Sequence, residues 1–144
     1  MKKMMIFVLA LLLFGCNVDK KVSYVFNVED QERIKLTYKF NDHEQVDVYD
    51  SMMFVNKDDY QVKVLFIHDH QGESNAQTFY DEYHKQSAFK QGLLNNQKYY
   101  YYEDQQDSVL FIEIANSSYH IVLISESNQE KIFEIGKQLT ITKE

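Results

Sequence analysis

The 144 residues include no proline, no tryptophan, one cysteine and four glycines. A lone cysteine has no partner for an intrachain disulfide, so the fold must be held by its hydrophobic core, which is feasible for a chain of this size. The few, scattered glycines exclude a phosphate-cradling glycine loop and the Gly-x-Ser-x-Gly elbow of many hydrolases. No proline-rich or Gly/Ser-rich stretch divides the chain, so a single domain is expected. Acidic residues outnumber basic ones by 22 to 15, which disfavours nucleic acid, itself a polyanion, as a partner. Apolar periodicity persists throughout, so no segment reads as disordered.

The N-terminus differs from the rest. After Met1-Lys2-Lys3 the chain runs from Met4 to Phe14 without a polar residue. Those residues are too few to span a bilayer, which takes about 20. Behind a charged start they have the shape of a secretion signal. The run ends Leu13-Phe14-Gly15-Cys16. This resembles the lipobox of small bacterial lipoproteins, with Phe14 standing where a small residue is usual. The resemblance implies that residues 1–15 are a signal peptide and that the Cys16 thiol takes a diacylglyceryl (palmitate-type) group. It also implies that the protein is exported and held by its lipid at the outer face of the cell membrane. Two acyl chains hold a protein stably where one does not, so such an anchor needs no basic patch, and none is apparent. Once Lys2 and Lys3 are removed, 13 basic residues face 22 acidic ones, a balance expected to repel anionic headgroups. Residues 16–21 form the acylated cysteine and its tether, which reaches at most about 18 Å. The domain, 22–144, is therefore expected close to the membrane. The Lys/Asn/Ile/Tyr-rich, proline-free composition leans towards a Gram-positive source.

Residues 22–27 read as a strand, and 33–40 as a half-buried one, with Ile34, Leu36, Tyr38 and Phe40 alternating against Arg33, Lys35, Thr37 and Lys39. Val46, Val48, Met52 and Phe54 share a parity that Asp50 interrupts, so 45–55 reads as one bulged or kinked strand. A fourth strand spans 60–68. Ser74-Asn-Ala-Gln77 is a capping box, and Phe79, Tyr80 and Tyr83 follow at helical spacing. Gly92 suits a position past a helix end, giving a helix at about 75–90. Strands at 97–103, 109–115 and 119–125 follow, the last two apolar on both faces and so expected to be covered on both sides. A second capping box, Ser127-Asn-Gln-Glu130, opens a C-terminal helix with Ile132, Ile135 and Leu139 as its stripe. The sum is α+β: an antiparallel sheet of about six or seven strands with two helices, sandwich-like. The second half, from the helix through Tyr119-His-Ile-Val-Leu-Ile-Ser-Glu-Ser127 to the last helix, resembles PsbP-like domains of some small bacterial lipoproteins. A cystatin-like sheet with one helix fits the mid-chain helix less well.

Two constellations could carry chemistry. His68 and His70 lie two apart and point the same way on a strand, so they present two imidazoles, with His84 or Asp81 as a possible third zinc ligand. Tyr99, Tyr100, Tyr101 and Tyr102 put two rings on each side of a strand. One pair is expected in the core, and the other covers the sheet or forms an aromatic platform for a partner. The apolar residues of 52–55 are a second candidate patch. No catalytic residue and no cofactor is indicated. The sequence thus points to a non-catalytic binding lipoprotein with a membrane-proximal protein partner. A metal-binding lipoprotein built on His68 and His70 is the alternative, with a cell-envelope hydrolase behind it.

Overall fold

A computed structural model of the chain describes residues 20–27, 33–40, 43–49, 52–70, 72–126 and 129–143. The signal sequence, Cys16 and Ser127 of the second capping box lie outside the described residues. The elements are β1 (Lys20–Asn27), β2 (Arg33–Phe40), β3 (Glu44–Tyr49), β4 (Met52–Lys57), β5 (Tyr60–His68), α1 (Asn75–Tyr83), β6 (Lys90–Leu94), β7 (Gln97–Glu103), β8 (Asp107–Glu113), β9 (Tyr119–Glu126), α2 (Gln129–Gln138) and β10 (Leu139–Lys143). They form two antiparallel sheets, one of three strands in the order β1-β2-β10 and one of seven in the order β3-β4-β5-β9-β8-β7-β6. The α+β sandwich is as expected, with more strands and a second sheet.

Four differences are local. Residues 45–55 are two strands, not one kinked strand: β3 and β4 pair as a hairpin, with Tyr49 opposite Met52. The first helix ends at Tyr83, not near 90, and its last turn is closed by His84 N–H donating to the Tyr80 carbonyl at 2.9 Å. Gly92 lies inside β6 rather than past a helix end. The C-terminal helix stops at Gln138, and Leu139, expected on its stripe, begins β10. The stop has a cause. Asn95, in the β6–β7 turn, donates from Nδ2 to the carbonyls of Lys137 and Leu139 at 3.0 Å each, satisfying acceptors that a helix end leaves open. Asn95 and Asn96 both have positive φ, 50° and 64°, the combination required by a two-residue primed turn.

One face of the seven-stranded sheet is closed by the small sheet and α2. Ile34, Leu36 and Tyr38 of β2 meet Val55, Val62, Val64, Leu110, Ile121 and Leu123, with Ile132 and Ile135 of α2 alongside, all buried in one cluster. Burying each such side chain stabilises by roughly 1.5–3 kcal/mol. Helix α2 lies close against the sheet at Gly136, where an added Cβ would come within 3.0 Å of methyls of Leu94 and Leu110. The opposite face is covered by α1 only over its far half, where Ala76 packs with Tyr100, Phe111 and Val122. Strands β8 and β9 are thus covered on both sides, as their two-sided apolarity implied.

Two further expectations change. Because β1 begins at Lys20, Lys20 and Lys21 belong to the fold rather than to the tether, which leaves only residues 17–19 between Cys16 and the first strand. The cations are also not dispersed. Strands β1, β2 and β10 contain six basic residues and no acidic one, whereas residues 41–138 hold 17 acidic and seven basic residues. A basic patch therefore exists, although net charge alone conceals it.

Candidate functional site

His68 ends β5 and His70 follows in a one-residue bridge to Glu73. Their rings meet edge to face, with centroids 5.3 Å apart, and His68 also packs on Tyr119 at 4.3 Å. His84 sits elsewhere: its ring stacks on Tyr80 at 4.7 Å and its Nδ1 lies 2.8 Å from the Tyr80 carbonyl. Asp81 accepts from Gln77 Nε2 at 2.8 Å on the outer side of α1. Among the described residues no group of three or more His, Cys, Asp and Glu side chains is arranged to hold a metal ion. The expected third ligand is therefore not brought to the His68/His70 pair.

The residue between them does more. Asp69 Oδ1 lies 2.9 Å from His120 Nε2 and accepts from the Asn75 backbone N–H at 2.8 Å. Asn75 Nδ2 returns to the His68 carbonyl at 3.0 Å, and Ser74 Oγ accepts from the Gln77 N–H at 3.3 Å. Together these satisfy donors at the start of α1 and fasten that helix to β5 and β9. Only half of the expected capping box forms, since the Gln77 side chain turns to Asp81. His120, missed in the sequence because it sits within an apolar strand, is buried, with Phe111 at 5.1 Å. Its Nδ1 is enclosed by the fold and meets no hydrogen-bond partner among the described residues. The pair anchors the start of α1 to β5 and β9.

The tyrosine run is not an exposed platform. Tyr100 is 5% exposed and Tyr101 is fully buried. Tyr99 and Tyr101 both meet Phe133 of α2, while Tyr102 stacks on Tyr83 of α1 at 4.4 Å. The two pairs sit under different helices because successive strand residues face opposite ways. The Tyr101 hydroxyl donates to Glu103 at 2.6 Å, and burial, then that bond, raise its pKa.

A second polar cluster, also missed in the sequence, closes the seam between the two sheets and α2. Lys57 Nζ lies 3.5 Å from Glu134 and 3.8 Å from Glu44, and Lys131 lies 3.3 Å from Glu134. Burial, then the Glu44 charge, drive the Tyr38 phenol pKa far up. Burial, then the Glu134 charge, push Tyr60 up to about 12, with Lys131 opposing. Burial works against the charge on Glu134, yet Lys131 and Lys57 hold its pKa below the ordinary value. These residues come from five elements, so no local sequence pattern marks them.

A wide concavity lies on the half-sheet that α1 leaves open. A groove of about 1070 Å³ runs over the ends of β5 and β9, lined by amides and carboxylates including Asp58, Asp59, Gln105 and Asp107. Beside it, Asp47, Tyr49, Phe54, Asn56 and Gln61 line a shallow depression. Gln61 donates to Asn56 at 2.6 Å and Asn56 to Asp47 at 3.3 Å, a side-chain ladder across three strands. Tyr49 is 58% exposed and meets Phe54 edge-on at 5.9 Å. The surface thus combines fixed hydrogen-bonding groups with an aromatic pair. An enclosed apolar space between Val22, Leu36, Met53 and Phe66 measures about 10 Å³, enough for one water and no ligand.

Set against known proteins, the chain matches no family model, no curated protein and no solved structure.

Proposed function

We propose that this protein is an exported lipoprotein, held at the outer face of the cell membrane by diacylated Cys16, and that its domain is a non-catalytic binding module for a protein in or near that membrane. The observation that carries the binding reading is the open half-sheet: Tyr49, 58% exposed, and Phe54 stand beside the Asp47–Asn56–Gln61 ladder on a face that no other element covers among the described residues. Aromatic side chains flanked by oriented polar groups are the composition that favours interfaces. The apolar stretch 52–55 contributes Phe54 to this surface. The anchor rests on Leu13-Phe14-Gly15-Cys16, and β1 beginning at Lys20 limits the reach from Cys16 to about 14 Å. Such a domain meets partners at the membrane surface. Among the described residues no helix is long and apolar enough to cross a membrane.

The test has two parts. Mass spectrometry of the membrane-extracted protein is expected to find a diacylglyceryl group on Cys16, absent in Cys16→Ser. A photo-crosslinking residue at position 49 of the intact lipoprotein is expected to capture a membrane-proximal protein. Binding of that protein, once purified, should fall at least about tenfold in Phe54→Ala and stay unchanged in Leu93→Ala, a control on the far edge of the sheet. Equal loss in both variants would remove the open half-sheet from the reading.

A further inference from the structure

The outward face of the small sheet carries positive charge only. Pleating sends Ile34, Leu36 and Tyr38 into the core, so Arg33, Lys35 and Lys39 of β2 point away from it, together with Lys21 of β1. Between them stand Ser23, Thr37, Thr140 and Thr142; Ser23 and Thr37 share a hydrogen bond of 3.0 Å. Lys21 lies directly opposite Lys39 in the register. Like charges in that position weaken a sheet. Among the described residues, no ion pair involves Lys21, Lys35 or Lys39. The cationic end of this face begins at Lys21, five residues after Cys16.

We propose that this face lies on anionic phospholipid headgroups and sets the orientation of the domain on the membrane. The inference rests on the reading of Cys16 as the lipid anchor. An anchored domain is already at the surface, so the face need not supply affinity. It decides which side turns down. Lysines near an anionic leaflet are attracted over about one Debye length, roughly 8 Å in physiological salt. A tether of three residues keeps the basic face inside that range, while the surplus of acid in residues 41–138 is repelled to the far side. The partner-binding half-sheet, on the outer face of the other sheet, then turns away from the lipid. The opposite charges of the two sides therefore act together on one rotation.

The experiment uses the full lipoprotein, extracted and reconstituted into vesicles of phosphatidylcholine alone or with about one third phosphatidylglycerol. A water-soluble amine-acylating reagent is applied, and modification of each lysine is followed by mass spectrometry. In the anionic vesicles Lys21, Lys35 and Lys39 should react at least about threefold more slowly than in the neutral ones, and recover in 0.5 M salt, where screening shortens to about 4 Å. Lys85 and Lys137 should react equally in both. Equal reactivity of the three lysines in both vesicles overturns the proposal. Greater protection by soluble poly(glycerol phosphate) in neutral vesicles than by phosphatidylglycerol overturns it in favour of a wall polymer. The Lys35→Glu/Lys39→Glu chain, which removes the Lys21–Lys39 clash, should keep the parental Tm and lose the lipid-dependent protection of Lys21. If Cys16 carries no acyl group, the anchoring reading fails by itself. Flotation of the same chain with the two vesicle types still decides the face: salt-sensitive flotation only with the anionic vesicles supports it, and equal flotation overturns it.

Discussion

The two halves of the seven-stranded sheet are built on different terms. Strands β7 to β9 are covered on both faces, by α1 on one side and by α2 and the small sheet on the other, and their contacts are chiefly apolar and aromatic. Among the described residues, strands β3 and β4 are covered on one face only, β5 reaches the α1 side only through Leu65 and Ile67, and the seam there closes through Tyr38, Glu44, Lys57, Tyr60 and Glu134. Stability is thus concentrated in the half that is buried twice, whereas sensitivity to pH and accessibility to partners are concentrated in the other. A sheet can carry a binding surface on a rigid scaffold in this way without exposing its core.

That division can be broken most directly by truncating matched aromatics. Phe111, 3% exposed and packed on Phe79 and His120, should cost about 3–5 kcal/mol as Phe111→Ala in urea unfolding. Phe54→Ala, on the open half, should cost less than about 1 kcal/mol; similar losses would show that the halves are not distinct. Next in size, Asp69→Ala removes the acceptor for the Asn75 N–H and the partner of His120. A loss of about 1–3 kcal/mol is expected, with amide exchange rising in α1 well before β8 and β9.

The polar seam gives two pH predictions of opposite sign. Tyr60 has a folded pKa of about 12 against an ordinary value near 10. Its contribution is therefore intact below pH 10 and declines as pH rises from 10 through 12. Tyr60→Phe should flatten that alkaline decline by on the order of 1 kcal/mol after allowing for screening, read from Tm against pH. Glu134 is depressed, so its contribution is present above the ordinary carboxylate range and disappears as pH falls through its folded pKa. It is partly exposed, and Glu134→Gln should reduce the acid dependence by less than about 0.5 kcal/mol. A larger acid effect than alkaline effect would mean that charge, not phenol burial, closes the seam.

Much of this architecture is legible in the sequence wherever a period is uninterrupted. Residues 33–40 alternate cleanly and form β2 with the expected inner and outer faces. The two-sided apolarity of 109–113 and 119–125 correctly implied cover on both sides. Elements were concealed where two periods overlap. Ile132, Ile135 and Leu139 continue one helical stripe, although the chain changes to β10 at Leu139; the signal there is the β-branched alternation of Thr140, Ile141 and Thr142, together with Asn95 far away in sequence. Strand β6 was hidden by Gly92 and its shortness. The candidate site was least legible. His120, the Lys57–Glu134 seam and the open half-sheet all arise from strand order, which periodicity does not encode, and the tyrosine run was exposed only in the absence of the helices that cover it.

The pairing of β10 with β2 joins the last residues of the chain to nearly the first, with Leu139 opposite Tyr38 and Lys143 opposite Ile34. A chain that emerges N-terminus first presents the β1–β2 hairpin early, with one side of β2 unpaired until β10 has been made. Contacts so distant in sequence form slowly, and an open strand edge is a template for intermolecular pairing. Completion of the small sheet is therefore a late event that waits on β10. A chain cut after Gln138 would leave that edge of β2 open permanently to its neighbours.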